Sequence, residues 1–294
     1  MTNGKTETPG KGFLPQYHQF NLSDFALFLS VMKVKKAYQN VLSIILDEPG
    51  LQLREVKVEQ VILNKSGKRA IRLDAWAVDS ESRVFNTEMQ NRVSGDDIRK
   101  RSRFYQGLLD TPILKAGKKT KYKNLPSTVI IFITQEDIFG RDLARYTFIE
   151  KCEEAEDLNL EDGTKKIFLN MTSKNGRPEL VSLLQYMKDT RMNNPEIKVK
   201  DKRIKELGDI VEEVKQSEEW EAVSLNILEF GMEKGREEGR EEGLEKGIEA
   251  LILDNLEEEK TREQILSKLE KRFALKPEEA ERYYRKYADT IRKE

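Results

Sequence analysis

Two neighbouring segments in the first third of the chain alternate apolar and polar positions with period two. In Ile71-Arg72-Leu73-Asp74-Ala75-Trp76-Ala77-Val78, residues Ile71, Leu73, Ala75 and Ala77 fall on one face and Asp74 on the other. In Val84-Phe85-Asn86-Thr87-Glu88-Met89-Gln90, residues Phe85, Thr87 and Met89 share a face, and Glu88 and Gln90 lie opposite. Asp79, Ser80, Glu81, Ser82 and Arg83 remain for a turn. The pattern predicts a β-hairpin with Val78 opposite Val84 and Asp74 opposite Glu88. That register collects Asp74, Glu88 and Gln90 on one face and sends the apolar set to the other.

The surrounding pattern predicts an α/β unit. Residues 22–47 read as helical, with Phe25, Phe28, Leu29, Met32, Val41, Leu42 and Ile45 as core candidates, and Pro49-Gly50 closes the unit. Glu55 to Leu63 reads as a strand, and Asn64-Lys65-Ser66-Gly67 as the turn into the Asp74 strand. Residues Asp96 to Leu109 form a helix with Ile98, Tyr105, Leu108 and Leu109 on its buried side. Ser127 to Thr134 is a near-continuous apolar run, the mark of a strand buried on both faces. Strands follow at Arg145 to Glu150 and Lys165 to Asn170, and a helix from Pro178 to Met192 closes the core. This order of elements fits more than one α/β fold.

Beyond Lys202 the pattern changes. Lys202 to Met232 is helical, with a stripe of Ile204, Leu207, Ile210, Val211, Val214 and Trp220. Then Gly231, Gly235, Gly239, Gly243 and Gly247 recur at a spacing of four. Four residues turn a helix by about 400°, so the glycines form a slowly drifting stripe of bare backbone. The stripe reads either as a helical pairing seam between subunits or as a charged spacer copied by repeat expansion. Thr261 to Glu294 gives two short amphipathic helices: Thr261-Arg262-Glu263-Gln264 is a capping box and Pro277 opens the second. Their Leu266, Leu269, Phe273, Tyr284 and Tyr287 pack within or between chains. The expected organisation is a loose tail (1–20), a core (21–195), a helical connector (196–230), a Gly-Arg-Glu-Glu repeat helix or spacer (231–260) and a helical pair (261–294).

Composition narrows the chemistry. The 294 residues are 36% charged with a formal net charge of −1, yet the charge is segregated into a basic middle and an acidic C-terminal third. From Asp97 to Lys123 there are nine Lys or Arg against two acids. A single cysteine, Cys152, excludes an internal disulfide and reads as a structural thiol. A single histidine, His18, in a polar stretch excludes a His-dependent triad and a His-rich zinc site. No run approaches the roughly 18 apolar residues of a membrane span, and the start lacks the apolar region of a secretory signal. A cytoplasmic protein is expected.

The acids on the hairpin carry the candidate chemistry. Directly opposed strand residues stand about 4.5–5.5 Å apart at Cβ. Two carboxylates that close repel until one takes up a proton or a cation binds. Hard oxygen ligands suit Mg²⁺, which can orient a water and polarise a phosphoryl oxygen. The competing reading is an amphipathic surface hairpin with solvated acids. The basic helix that follows favours the first, because Arg101 and Tyr105, four apart, share a face and Lys or Arg contacts to phosphate give affinity with little sequence choice. The Lys118–Lys123 cluster reads equally well as a solubilising stretch.

The residues Arg72-Leu73-Asp74, Thr87-Glu88-Met89-Gln90 and Lys100-Arg101-Ser102-Arg103-Phe104-Tyr105-Gln106 carry a resemblance. So do Val129 to Thr134, Tyr146-Thr147-Phe148, Asp162 to Asn170 and the Gly-Arg-Glu-Glu-Gly repeats. On these motifs the chain resembles the bacterial recombination-promoting nuclease and transposase family, a branch of the PD-(D/E)XK nuclease superfamily, from about Leu22 to Gly247. The resemblance implies a restriction-endonuclease-like α/β core: a mixed central sheet flanked by helices, here with a helical C-terminal extension. It also implies a Mg²⁺-dependent endonuclease acting on double-stranded DNA in recombination or mobile elements. Asp74 and Glu88 match the metal-binding acids. Gln90 falls where the superfamily usually places a Lys; it cannot offset charge as an ammonium would, but its amide can orient the attacking water, so a modest rate is expected. Arg101 and Arg103 are assigned to backbone phosphate and Tyr105 to orienting the site. Such folds often draw a third metal ligand from the first helix, where Asp24 is the candidate, although Ser23-Asp24 is also a helix N-cap signal. A dimer through the C-terminal helices would address two strands. The alternatives are a non-catalytic DNA-binding or accessory transposase-related protein that oligomerises through those helices, and a mainly structural oligomer.

Overall fold

The computed structural model describes residues 20–62, 70–91, 97–111 and 121–291. The expected N-terminal tail with His18, the Asn64–Gly67 turn, Asp96, and Lys115, Lys118 and Lys119 of the basic stretch lie outside the described residues. Contacts divide the chain into two units, 1–220 and 221–294.

The first unit begins with α1 (Phe25–Met32) and α2 (Lys35–Leu46), where the sequence suggested one helical stretch. Val34 takes extended backbone at the start of α2 and splits it. All the predicted core residues of this stretch are buried except Phe25, which is 38% exposed with the Arg72 guanidinium 5.8 Å from its ring. Then come β1 (Leu53–Ile62), β2 (Ile71–Asp79) and β3 (Val84–Gln90), an antiparallel meander. The basic helix α3 (Ile98–Asp110) is capped by Asp97, whose carboxylate accepts from the Arg99 and Lys100 amides. It supplies the crossover that a parallel pairing needs, because β4 (Thr128–Thr134) runs parallel to β3. An edge strand β5 (Arg145–Phe148) precedes β6 (Thr164–Asn170).

The sheet order is β1-β2-β3-β4-β6-β5. Every residue of β4 is buried, as its continuous apolar run predicts, because it lies between two parallel neighbours with helices over both faces. On one face, Tyr105 of α3 lies 6.2 Å from Phe132 of β4, and Phe132 stacks on Phe168 of β6. On the other, Tyr38 of α2 reaches Thr87 and Ala75. The hairpin therefore differs from the expected amphipathic one: β2 and β3 are buried on both faces.

Pro178 opens α4 (Pro178–Lys188), which stops short of Met192. The Asn194 side-chain amide donates to the Gln185 carbonyl at 3.1 Å and satisfies one open end of that helix. α5 (Lys202–Lys215), expected in a connector, docks on α2. Asn40 donates to the Arg203 carbonyl and to Glu206, and Arg203 donates to Ser43. Ile204, Leu207 and Val211 are buried there. The next helix starts at a break the apolar stripe did not reveal, because the Ser217 hydroxyl accepts from the Trp220 amide at 3.2 Å as a helix N-cap does.

That helix, α6 (Glu218–Glu257), runs for 40 residues through all five spaced glycines. In the second unit its C-terminal part packs with α7 (Arg262–Phe273) and α8 (Pro277–Ile291) around Ile248, Ile252, Ile265, Leu269 and Ala280. The capping box at Thr261 and Gln264 is formed as predicted. The aromatic and leucine side chains of α7 and α8 thus pack within the chain. No helix among the described residues is long and apolar enough to cross a membrane.

Candidate functional site: a buried acid pair on the hairpin

The turn between β2 and β3 sets everything that follows. The Asp79 carboxylate, 1% exposed, accepts from the Glu81 and Arg83 amides and from Arg83 Nε. The Arg83 guanidinium also grips Glu48 through both terminal nitrogens. With the turn closed there, the ladder runs Val78↔Val84, Ala77↔Phe85, Trp76↔Asn86 and Ala75↔Thr87. One step further the register brings Asp74 opposite Glu88, as the sequence predicts.

At that step side chains replace the backbone ladder. The Asp74 amide donates to Glu88 Oε1 at 3.2 Å, and the Met89 amide donates to Asp74 Oδ2 at 3.0 Å. Asp74 is 7% exposed and Glu88 1%. Asn86 Nδ2 adds a bond to Glu88 Oε1 at 3.0 Å. From α3, Arg101 Nη2 donates to Glu88 Oε2 at 3.1 Å and Arg101 Nη1 to Gln90 Oε1 at 3.1 Å. Its guanidinium lies 5.4 Å from the Tyr105 ring and 5.2 Å from Phe132. Gln90 Nε2 donates to the Met89 carbonyl.

Burial first, and then the negative charge of Glu88, push the Asp74 carboxyl up to about 7. The Met89 amide and the charges of Arg101 and Arg72 pull the other way. Burial also raises Glu88, against the bonds from Asn86 and Asp74 and the charge of Arg101. The pair titrates as a unit: near neutral pH it holds a proton or demands further positive charge.

The donor chemistry fits a hard divalent cation. Two buried carboxylates face each other, and Asn86 Oδ1 is buried beside them without a hydrogen-bond partner among the described residues. The described residues hold no group of three or more His, Cys, Asp or Glu that would enclose a metal. Mg²⁺ does not need one, since it is commonly held by one or two carboxylates, waters and substrate phosphate.

Of the residues singled out in the sequence, Asp74, Glu88, Gln90, Arg101 and Tyr105 come together here. Arg103 is on α3 but exposed. Asp24 is engaged with other groups: its carboxylate accepts from the Asn21 amide at 2.7 Å, and its charge acts on Lys215 of α5. It occupies the N-cap position of α1 without a side-chain bond into the helix.

Two participants went unnoticed in the sequence. Asn86 lies two residues before Glu88, hence on the same face, and a buried amide in an apolar strand was its signal. Tyr38 supports the pair from the opposite face, its hydroxyl 2.8 Å from Thr87 Oγ1 and 3.0 Å from the Ala75 carbonyl. Nothing in the helical pattern of α2 distinguishes it from a core aromatic.

A family model described as PD-(D/E)XK nuclease family transposase matches residues 24–226, which span the whole sheet and the acid pair. Neither the curated proteins nor the solved structures gave a match.

Proposed function

The chain belongs to the PD-(D/E)XK nuclease family transposases, and on that premise we propose that it is a Mg²⁺-dependent endonuclease that hydrolyses phosphodiester bonds of double-stranded DNA in recombination or the movement of mobile elements. Its mixed six-stranded sheet flanked by helices is consistent with the restriction-endonuclease-like α/β fold. The observation that carries the reading is the buried Asp74–Glu88 pair, with a basic helix packed on the same sheet face. Buried like charges cost stability unless compensated, and a metal site accounts for that cost.

Asp74 and Glu88 would hold the ion, which when bound polarises a phosphoryl oxygen and supplies an activated water. Gln90 orients that water through its amide. Arg101 and Arg103 hold backbone phosphate, and Tyr105 keeps Arg101 in place through its ring face. Gln90 adds no positive charge to the transition state, so a modest rate is expected.

Exposed Phe230 and Met232 at the start of the glycine stripe support self-association through α6. With α7 and α8 packed within the chain, α6 is the element of the C-terminal region left to pair copies. We place the protein in the bacterial cytoplasm, where its DNA substrate is.

Supercoiled plasmid incubated with the full chain and Mg²⁺ is expected to be nicked. EDTA, Asp74→Ala or Glu88→Ala is expected to abolish nicking. Folded wild-type protein that leaves the plasmid uncut with each of several divalent cations would shift the assignment to a non-catalytic DNA-binding or accessory relative, a reading that Gln90 in the usual Lys position favours.

A further inference from the structure

The phosphate role proposed for Arg101 does not account for where its guanidinium lies in this structure. A guanidinium has five N–H donors in one plane. In Arg101 one terminal nitrogen donates to Glu88 Oε2 and the other to Gln90 Oε1, while Nε is buried without a partner among the described residues. The side chain is largely buried, and the rings of Tyr105 and Phe132 lie against it. In this position its fork is committed to the hairpin and its Nε edge is closed to a phosphate. Glu88 Oε1 already accepts from the Asp74 amide and Asn86 Nδ2, so Oε2 is the Glu88 oxygen for which a divalent cation would compete. Two cations at one carboxylate oxygen repel each other.

On the nuclease reading, on which this inference rests, we propose that Arg101 is the resident counter-cation of the acid pair, and that a divalent cation binds by displacing its guanidinium from Glu88. The exchange has a physical logic. Without Arg101 the two buried carboxylates would face each other uncompensated. With it, the charge of Glu88 is met before metal arrives. Leaving gives up the bonds to Glu88 and Gln90 but frees the buried Nε–H, and the released planar fork then suits a phosphate. Arg101 is therefore a positioning residue in the resting protein, and metal entry and its release are one event.

Calorimetric titration of the full chain with Mg²⁺ and with Ca²⁺, at about pH 8.5 so that protons compete little with the metal, tests this. Arg101→Gln keeps an amide donor near Glu88 and removes the charge. It is expected to bind either cation about tenfold more tightly than wild type, while Arg101→Lys stays within about threefold. Asp74→Asn serves as the site control. The Arg101 Nε–H resonance of the wild type, assigned by its loss in either Arg101 variant, is expected to shift when metal is added. Wild-type binding that requires Asp74, with Arg101→Gln equal or weaker, overturns the inference and leaves the metal site standing. If Arg101→Gln does not fold, an Arg101 resonance unmoved by saturating metal overturns it. Absence of cation binding in the folded wild type overturns the inference and the metal-site reading together.

Discussion

The hairpin and the glycine helix are the two most regular stretches of the chain, and they meet opposite fates. Period two in β2 and β3 ends in a site where every side chain is locked. Asp74 and Glu88 each accept a backbone amide of the facing strand, and Arg101 closes over the pair. Period four in α6 ends in bare helix. A Cβ added at Gly231, Gly235, Gly239 or Gly243 would meet nothing within 4 Å, whereas at Gly247 it would lie 3.3 Å from the Phe273 ring. A repeat acquires one structural meaning only where other elements close over it. The hairpin has α3 on one face and α2 on the other; most of the glycine stripe has neither.

Four variants sharpen that contrast. Asp74→Asn should have the largest effect, and in two directions. Nicking should fall by at least about 100-fold, the scale of losing a group that stabilises transition-state charge, while the fold should gain stability. The sign follows from the raised carboxyl. A group whose folded value lies near 7 and whose ordinary value is 3.8 contributes its stability below the ordinary value and loses it as pH rises toward 7. The gain of Asp74→Asn over wild type should thus be small near pH 4, grow between about pH 4 and 7, and level off above, at up to about 4 kcal/mol. Denaturant melts of both proteins across that range measure it, and a gain that shrinks with rising pH would contradict the burial argument.

Asp79→Ala comes next. It leaves Arg83 facing Glu48 alone and removes the acceptor for two turn amides. A loss of about 3 kcal/mol is expected, together with weaker metal binding, because the turn holds the register that opposes Asp74 to Glu88. Stability lost with metal affinity intact would mean the register survives without the turn.

The glycine helix should answer with smaller changes of the opposite sign. Gly235→Ala with Gly239→Ala should raise the helical stability of α6 by about 1 kcal/mol each, leaving nicking unchanged. A thermal melt followed by circular dichroism reads the gain. If the doublet instead disrupts self-association in sedimentation, the stripe is a pairing seam. Gly247→Ala should give the least net effect, because the propensity gain is offset by crowding against Phe273.

Much of the candidate site is legible in the sequence alone. The alternation of β2 and β3 and a five-residue turn were enough to oppose Asp74 to Glu88. The four-residue spacing of Arg101 and Tyr105 put both on the inner side of α3. Two features were not legible. The phosphate role expected of Arg101 gave no sign that its guanidinium is bonded to Glu88 and Gln90 in this structure, a partnership set by how α3 lies across the sheet. Asp24 was linked to the acid pair through the resemblance, yet its carboxylate accepts from the Asn21 amide and its charge acts on Lys215. Neither outcome leaves a trace in local spacing.

Local order therefore settled the strands, most of the helices and the hairpin register that opposes the two acids, because side-chain period and turn chemistry act over a few residues and are written in consecutive positions. Packing settled the rest: that the pair is buried and its carboxyls raised, that Arg101 bonds to Glu88, that Tyr38 supports the hairpin from behind, and that α5 belongs on α2. Those depend on residues far apart in the chain meeting in a medium that excludes water, and burial, charge compensation and pKa are properties of that meeting.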